Sequence, residues 1–204
     1  MYFKKMIDMP NLSTDLREEL IVEATKLFET EKNNRVLHHR RFELEDTSTL
    51  NYMKDEDMDF YEKSGGVSAI RVSEHMCERT LDFFRKANHP TTNSIKSFLY
   101  LYVEGGTYCA PHIDDVNKRR HGLQLLLKAG GDNVKTSWYE PKEQFKDLPI
   151  IDYSCIPYSR IDLKSETCLE ENYWYWMKFD SIHSVENTES LRIFLVPVFG
   201  ELHG

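Results

Sequence analysis

The 204-residue chain has no continuous apolar run near the roughly 20 residues that cross a bilayer, so no membrane-spanning helix is expected. Cysteine is scarce. Cys77, Cys109, Cys155 and Cys168 are irregularly spaced and form no CxxC pair. That pattern weighs against a disulfide framework and fits reduced thiols in a cytoplasmic protein. Basic residues are the minority, 26 against 34 acidic, for a net charge of −8. The balance disfavours a general binder of nucleic acid or anionic membranes. The opening "MYFKKMIDMPNLSTD" carries two lysines but no apolar stretch after them, so no secretory signal is expected. There is no internal repeat, no low-complexity tract, no phosphate-cradling glycine loop and no nucleophile elbow.

Enough apolar residues remain, 40% of the chain with 12% aromatic, to build a core. Residues 13–31 read as a helix. Leu16, Leu20, Ala24, Leu27 and Phe28 recur at helical spacing, and Ser13, Thr14 or Asp15 offers the N-cap. Residues 73–87 read as a second helix, capped by Ser73, with Met76, Cys77, Leu81 and Phe84 on one face. Residues 36–44 suggest a strand. The acid-rich stretch 43–62 reads as a solvated loop, with a lid as the other reading. After Pro90 the chain turns to short strands separated by Gly, Asn and Asp, over 94–103, 107–113, 121–128, 133–140, 173–179, 182–185 and 191–199. The expected fold is α+β but mainly β, a jelly roll with N-terminal supporting helices. Residues 1–90 form the support and 91–204 the core of the same domain, with an irregular excursion at 141–172.

In "YCAPHIDD", His112 and Asp114 are two residues apart and share a strand face. Alone, H-x-D is no more than the polar end of a strand. A third group, His183 in "FDSIHSVENTES", completes a set of two histidines and one carboxylate that suits Fe(II) with open positions. His121, on a face with Leu123, Leu125 and Leu127, is the competing histidine and is expected to be satisfied or to support a ligand. Arg192 shares a face with Phe194, Val196 and Val198. A guanidinium on an inward apolar face needs an anion, either one of the chain's own acids or the carboxylate of a metal-chelating cosubstrate. Its nine-residue distance from His183 suggests two adjacent antiparallel strands joined by a turn at "ENTES". Cys109, of opposite strand parity to His112, reads as a buried small hydrophobe.

H-x-D, a distant His and an Arg nine residues later resemble the Fe(II)/2-oxoglutarate-dependent dioxygenases, and the spacing is most similar to their prolyl-hydroxylase-like branch. The resemblance spans residues 95–199. "YVEGGTYCAPHID" also resembles the Tyr-x-x-Gly-x-x-Tyr-x-x-His-x-Asp texture that leads into that family's first metal motif. The resemblance implies a double-stranded β-helix, Fe(II) on His112, Asp114 and His183, and Arg192 on the distal carboxylate of 2-oxoglutarate. It further implies O2 as oxidant and succinate as a product. The branch often has a tyrosine on the strand after H-x-D. Here that strand is "HGLQLLLK", so Tyr102 is expected to assist Arg192, ahead of Tyr100, Tyr108 or Gln124.

The substrate is expected to be a peptide side chain, an amino acid or another small metabolite. Arg120, beside Lys118 and Arg119 after the metal motif, and Trp138 are the candidates to meet it. Two other readings exist: a nucleic-acid demethylase of the same superfamily, and a non-catalytic jelly-roll module that keeps a metal for structure.

Overall fold

The computed structural model describes residues 1–31, the backbone of 36–37, and residues 67–107, 109–114, 121–146 and 156–199. Among the described residues, eleven strands fall into two antiparallel sheets. They are β1 (Phe3–Met6), β2 (Val36–Leu37), β3 (Val67–Arg71), β4 (Ser97–Val103), β5 (Cys109–His112), β6 (His121–Lys128), β7 (Lys135–Pro141), β8 (Ile161–Cys168), β9 (Trp174–Lys178), β10 (Ile182–Glu186) and β11 (Arg192–Val198). The seven-stranded sheet runs β1-β9-β6-β11-β4-β3-β2 and the four-stranded sheet runs β5-β10-β7-β8. The chain is therefore mostly β, with few helices, as a sandwich or jelly roll requires.

Helices α1 (Thr14–Thr30) and α2 (Glu74–Ala87) begin where serine side chains cap them. Ser13 Oγ accepts from Leu16 N and Ser73 Oγ from Met76 N, each satisfying an N–H the helix cannot. Helix α2 ends at Asn88, whose left-handed φ of 52° lets its N–H close the last turn on Phe84 and Arg85 carbonyls. Both helices lay apolar stripes on the outer face of the large sheet. Leu16, Leu20, Ala24, Met76 and Phe84 meet Tyr100, Tyr102, Leu125, Trp174 and Leu195 there. Each large apolar side chain so buried stabilises the fold by about 1.5–3 kcal/mol. Among the described residues no helix is long and apolar enough to cross a membrane.

The other face of the large sheet looks at the small sheet. Leu126, Tyr175, Met177, Phe194 and Val196 lie on it, and farther along Val67 and Val103 close on Cys109, Val134 and Val185. Outside the small sheet, Ile113, Tyr139, Ile161 and Ile182 are covered by Ile156 and Tyr158.

The structure departs from the sequence expectations in several places. The excursion at 141–172 contains β8, an edge strand whose exposed positions include Asp162, Leu163 and Lys164. Strands β1 and β3 were not anticipated at all. Only Val36–Leu37 of the strand expected over 36–44 is described, and the acidic stretch 43–62 lies outside the described residues. The strands carrying His183 and Arg192 are not neighbours. β10 pairs with β5 and β7, whereas β11 lies between β4 and β6 in the opposite sheet. The turn after β10 crosses the sandwich instead of folding back.

That crossing is held tightly. Asn187 takes φ 61°, the N–H groups of Glu189 and Ser190 both donate to the Gly130 carbonyl, and Gly106 N donates to the Thr188 carbonyl. A Cβ at Gly105 would stand 2.6 Å from Ser190 Cα, and one at Gly130 would stand 2.8 Å from Ser190 O. Two glycines thus let the backbone come close enough to set where β11, and with it Arg192, begins.

Candidate metal centre

His112 on β5 and His183 on β10 are paired residues across the antiparallel ladder. Directly opposed residues point to the same face, which here is the face turned toward the large sheet. The two imidazole centroids are 4.3 Å apart. Asp114, just past the end of β5, is placed by its own N–H donating to the Phe179 carbonyl at 3.2 Å. Its Oδ1 lies 3.4 Å from His112 Nε2. One ligand atom from each of His112, Asp114 and His183 falls within 4.8 Å of the others.

The ring orientations are fixed from behind. His112 Nδ1 donates to the Ala110 carbonyl at 2.7 Å and His183 Nδ1 to the Ser181 carbonyl at 2.9 Å. Placing the ring hydrogen on Nδ1 leaves the Nε2 lone pair as the acceptor or ligand of each ring. Two imidazole nitrogens and a carboxylate oxygen converging from one side fit a divalent metal and leave its remaining positions open. The surroundings shift the two rings in opposite directions. Burial works against protonation of His112, but Cys109 and Asp114 outweigh it and hold that imidazole well above its ordinary value. Burial, then the facing His112, pushes His183 down to about 4.

Three residues separate Tyr108 from His112, one more than in the Tyr-x-x-His-x-Asp texture that the sequence resembles. Strand β5 absorbs the extra residue in a bulge. His112 pairs with His183 and Cys109 with Val185, so two residues on β5 lie where β10 has one. The bulge reverses the parity expected for Cys109. The thiol is buried as anticipated, yet its Sγ lies 3.6 Å from His112 Nδ1, on the metal side of the strand. Tyr108 lies outside the described residues.

Arg192, 1% exposed, begins β11 on the inner face of the large sheet. Its Nη2 donates to Thr136 Oγ1 at 3.0 Å across the gap, while Nε and Nη1 are buried without a hydrogen-bond partner. Among the described residues no carboxylate pairs with it. Burial lowers its pKa to about 10, so the guanidinium remains charged at neutral pH. Two donor atoms of a permanent cation are thus buried without a hydrogen-bond partner.

Tyr102, expected to assist Arg192, does not reach it. Its partner across the ladder is Ile193, so it faces the helices, and its hydroxyl donates to the Ala24 carbonyl of α1 at 3.0 Å. Tyr100 points the same way and donates to Glu23. Gln124 pairs with Tyr175 and is buried on the inner face. Trp138 is the cross-strand neighbour of His183, but its ring is 1% exposed and stacked on Phe3 at 4.8 Å. It fills the gap between sheets and offers no open wall to a substrate. His121 is exposed and lies against Trp176, away from the triad, so it neither binds nor supports the metal ligands. Lys118, Arg119 and Arg120 lie outside the described residues. Sequence reasoning missed Thr136, whose only signal was its place two residues before Trp138 on the strand beside β10.

No protein-family model and no curated protein sequence matches the chain. Solved structures do. A prolyl-4-hydroxylase from Pseudomonas putida superposes with a TM-score of 0.52 at 14% identity, over 98% of this chain and 92% of that one. The non-haem α-ketoglutarate-dependent epimerase SnoN from nogalamycin biosynthesis superposes with a TM-score of 0.51 at 13% identity, over 96% and 76%. The fold is that of the 2-oxoglutarate/Fe(II) oxygenases, the prolyl-hydroxylase type included.

Proposed function

We propose that this chain is an Fe(II)- and 2-oxoglutarate-dependent dioxygenase built on a double-stranded β-helix. His112, Asp114 and His183 would hold Fe(II), and Arg192 would receive the distal carboxylate of 2-oxoglutarate. The observation that carries the reading is the buried guanidinium of Arg192 with two unsatisfied donors, facing the same gap as the triad. An unpaired buried charge costs several kcal/mol and persists only where a ligand meets it. A metal kept for structure has no use for such a group.

The spacing agrees. Thr136, which touches Arg192, is opposite Val185, and Trp138 is opposite His183. The carboxylate seat is therefore displaced from the metal ligands by two strand residues, about 7 Å. A five-carbon 2-oxo diacid, chelating at one end and clamped at the other, bridges such a span.

When bound, Fe(II) supplies the activation of O2 and the oxidative decarboxylation of 2-oxoglutarate to succinate and CO2, coupled to oxidation of a substrate. The chain orients the cosubstrate through Arg192, keeps both imidazoles facing the metal through the Ala110 and Ser181 carbonyls, and excludes water with the apolar walls around Phe194 and Val103. The substrate is a peptide side chain, an amino acid or another small metabolite. The test is turnover of 2-oxoglutarate by the iron-loaded protein under air. Succinate formation that disappears in His183→Ala and in Arg192→Ala supports the reading. A wild type that neither binds nor consumes 2-oxoglutarate refutes it.

A further inference from the structure

Trp138 stands at the inner end of a line of aromatic side chains that leads from the metal ligands to the surface. It is directly opposite His183 on the ladder between β7 and β10, and opposed residues hold their Cβ atoms about 5 Å apart. Its buried indole stacks on Phe3 at 4.8 Å, with 11° between the planes. Tyr2 is stacked against the same indole, with centroids 6.4 Å apart and planes inclined by 21°. The Tyr2 hydroxyl then donates to Glu140 Oε1 at 2.6 Å, at the exposed edge of the sandwich. That hydrogen bond, first among the causes, raises the phenol to about 12 and holds Glu140 below the ordinary carboxylate range. Packing accounts for Phe3 and Trp138. It does not require that the next ring outward be a phenol with a proton acceptor already in place.

We infer that Trp138 and Tyr2 form an electron relay that drains oxidising equivalents from the metal centre when no substrate takes them. The inference rests on the reading of the triad as an Fe(II) site and adds a protective function to it. The oxidant is iron raised above Fe(II) by O2. Indole and phenol are the side chains of this line that yield an electron readily, and Phe3 only packs. One electron passes from Trp138 to the oxidised iron, and one from Tyr2 refills the indole. In that second step the Tyr2 O–H bond breaks and its proton forms an O–H bond on Glu140. The tyrosyl radical is reduced at the surface by one electron from a soluble reductant such as ascorbate, and the proton returns from Glu140. Without the relay, the oxidisable groups nearest the ligands bear the damage. These are Cys109, whose Sγ is 3.6 Å from His112 Nδ1, and Phe179, whose ring is 5.9 Å from that of His183.

The test is rapid-freeze electron paramagnetic resonance on the Fe(II)-loaded protein, given 2-oxoglutarate and O2 without substrate or ascorbate. Mass spectrometry of the same samples locates oxidised residues. The expected result is a tyrosyl radical signal in the wild type that is lost in Tyr2→Phe. Glu140→Gln weakens the signal, because an amide accepts a hydrogen bond but does not take the proton. Tyr2→Phe forms succinate at the initial rate of the wild type, yet accumulates more oxidation at Cys109 and Phe179. Trp138→Phe loses the signal with Tyr2 intact. Thermal melting controls for folding, and if the Trp138 variant unfolds the Tyr2 and Glu140 variants decide the matter. A tyrosyl signal that persists in Tyr2→Phe overturns the relay, as does equal damage at Cys109 and Phe179 in that variant and the wild type. A wild type that forms succinate without any tyrosyl signal also overturns it, while leaving the proposed function standing. A wild type that forms no succinate removes the function and the inference together.

Discussion

His112 and His183 stand opposite each other across β5 and β10, and each donates its Nδ1 hydrogen to the carbonyl two residues upstream, Ala110 in one case and Ser181 in the other. The two rings are thus positioned by the same local device, repeated on paired strands. Because the acceptors are main-chain atoms, the orientation does not depend on the side chains at 110 and 181. His183→Ala and Asp114→Ala are expected to lower Fe(II) affinity by more than about a hundredfold, beyond the loss that a mere supporting contact produces. Ser181→Ala is expected to bind Fe(II) like the wild type. Anaerobic metal titration separates these outcomes, and a strong effect of Ser181→Ala would mean that its hydroxyl, not its carbonyl, holds the ring.

Arg192→Met retains bulk and removes a buried charge two of whose donor atoms have no hydrogen-bond partner. The ligand-free protein is expected to become more stable by about 1–3 kcal/mol, since apolar groups of similar volume replace buried ionic groups at no loss or with gain. The same change abolishes 2-oxoglutarate binding. Urea denaturation with and without cosubstrate checks both halves. A destabilised ligand-free Arg192→Met would show that the contacts with Thr136 and the Phe194 ring already offset the burial of the guanidinium.

The glycines around the crossing turn should differ in their sensitivity. Gly130→Ala combines a φ of 87° with a Cβ 2.8 Å from Ser190 O. The expected loss is about 2–4 kcal/mol, with weaker 2-oxoglutarate binding because the start of β11 must shift. Gly106→Ala has φ 73° but no atom within 4 Å of the new Cβ. It is expected to cost only about 1–2 kcal/mol of backbone strain and to leave affinity unchanged. Comparable affinity losses in the two variants would contradict the positioning of Arg192 by this turn.

On the outer face of the small sheet, Tyr139, Tyr158 and Ser184 all donate to Glu186 Oε1. Burial first, and Glu186 after it, raises the pKa of Tyr158; burial chiefly raises that of Tyr139. The folded state therefore keeps protons that the unfolded chain releases near pH 10. The stabilisation is fully present below that pH and is lost as pH rises through and above it. Urea midpoints measured from pH 8 to 11 should fall more steeply for the wild type than for Tyr158→Phe. Parallel curves would contradict the coupling.

Much of this architecture is legible in the sequence where one physical signal dominates. Strand β6 coincides with the expected 121–128 because its apolar run is bounded by turn residues, and both long helices begin at the serines that cap them. Strand β8 is hidden because an edge strand alternates charge and not apolarity, with Asp162, Lys164 and Glu166 in a row of exposed or half-exposed positions. The bulge in β5 and the crossing of the turn before β11 are hidden for another reason. Period-two reasoning assumes unbroken pairing, and a nine-residue spacing does not say whether a turn returns to its own sheet or leaves it. Cys109 was assigned to the wrong face by the first of these, and Tyr102 does not reach Arg192 because alternation along β4 turns its side chain toward the helices.

The central claim is most directly tested by anaerobic titration of the metal-free protein with Fe(II) and then 2-oxoglutarate, following the visible charge-transfer band of the chelate. The account predicts a saturable band in the wild type that weakens in Arg192→Ala and is absent in His183→Ala. Uptake of Fe(II) without any band on adding 2-oxoglutarate would contradict it.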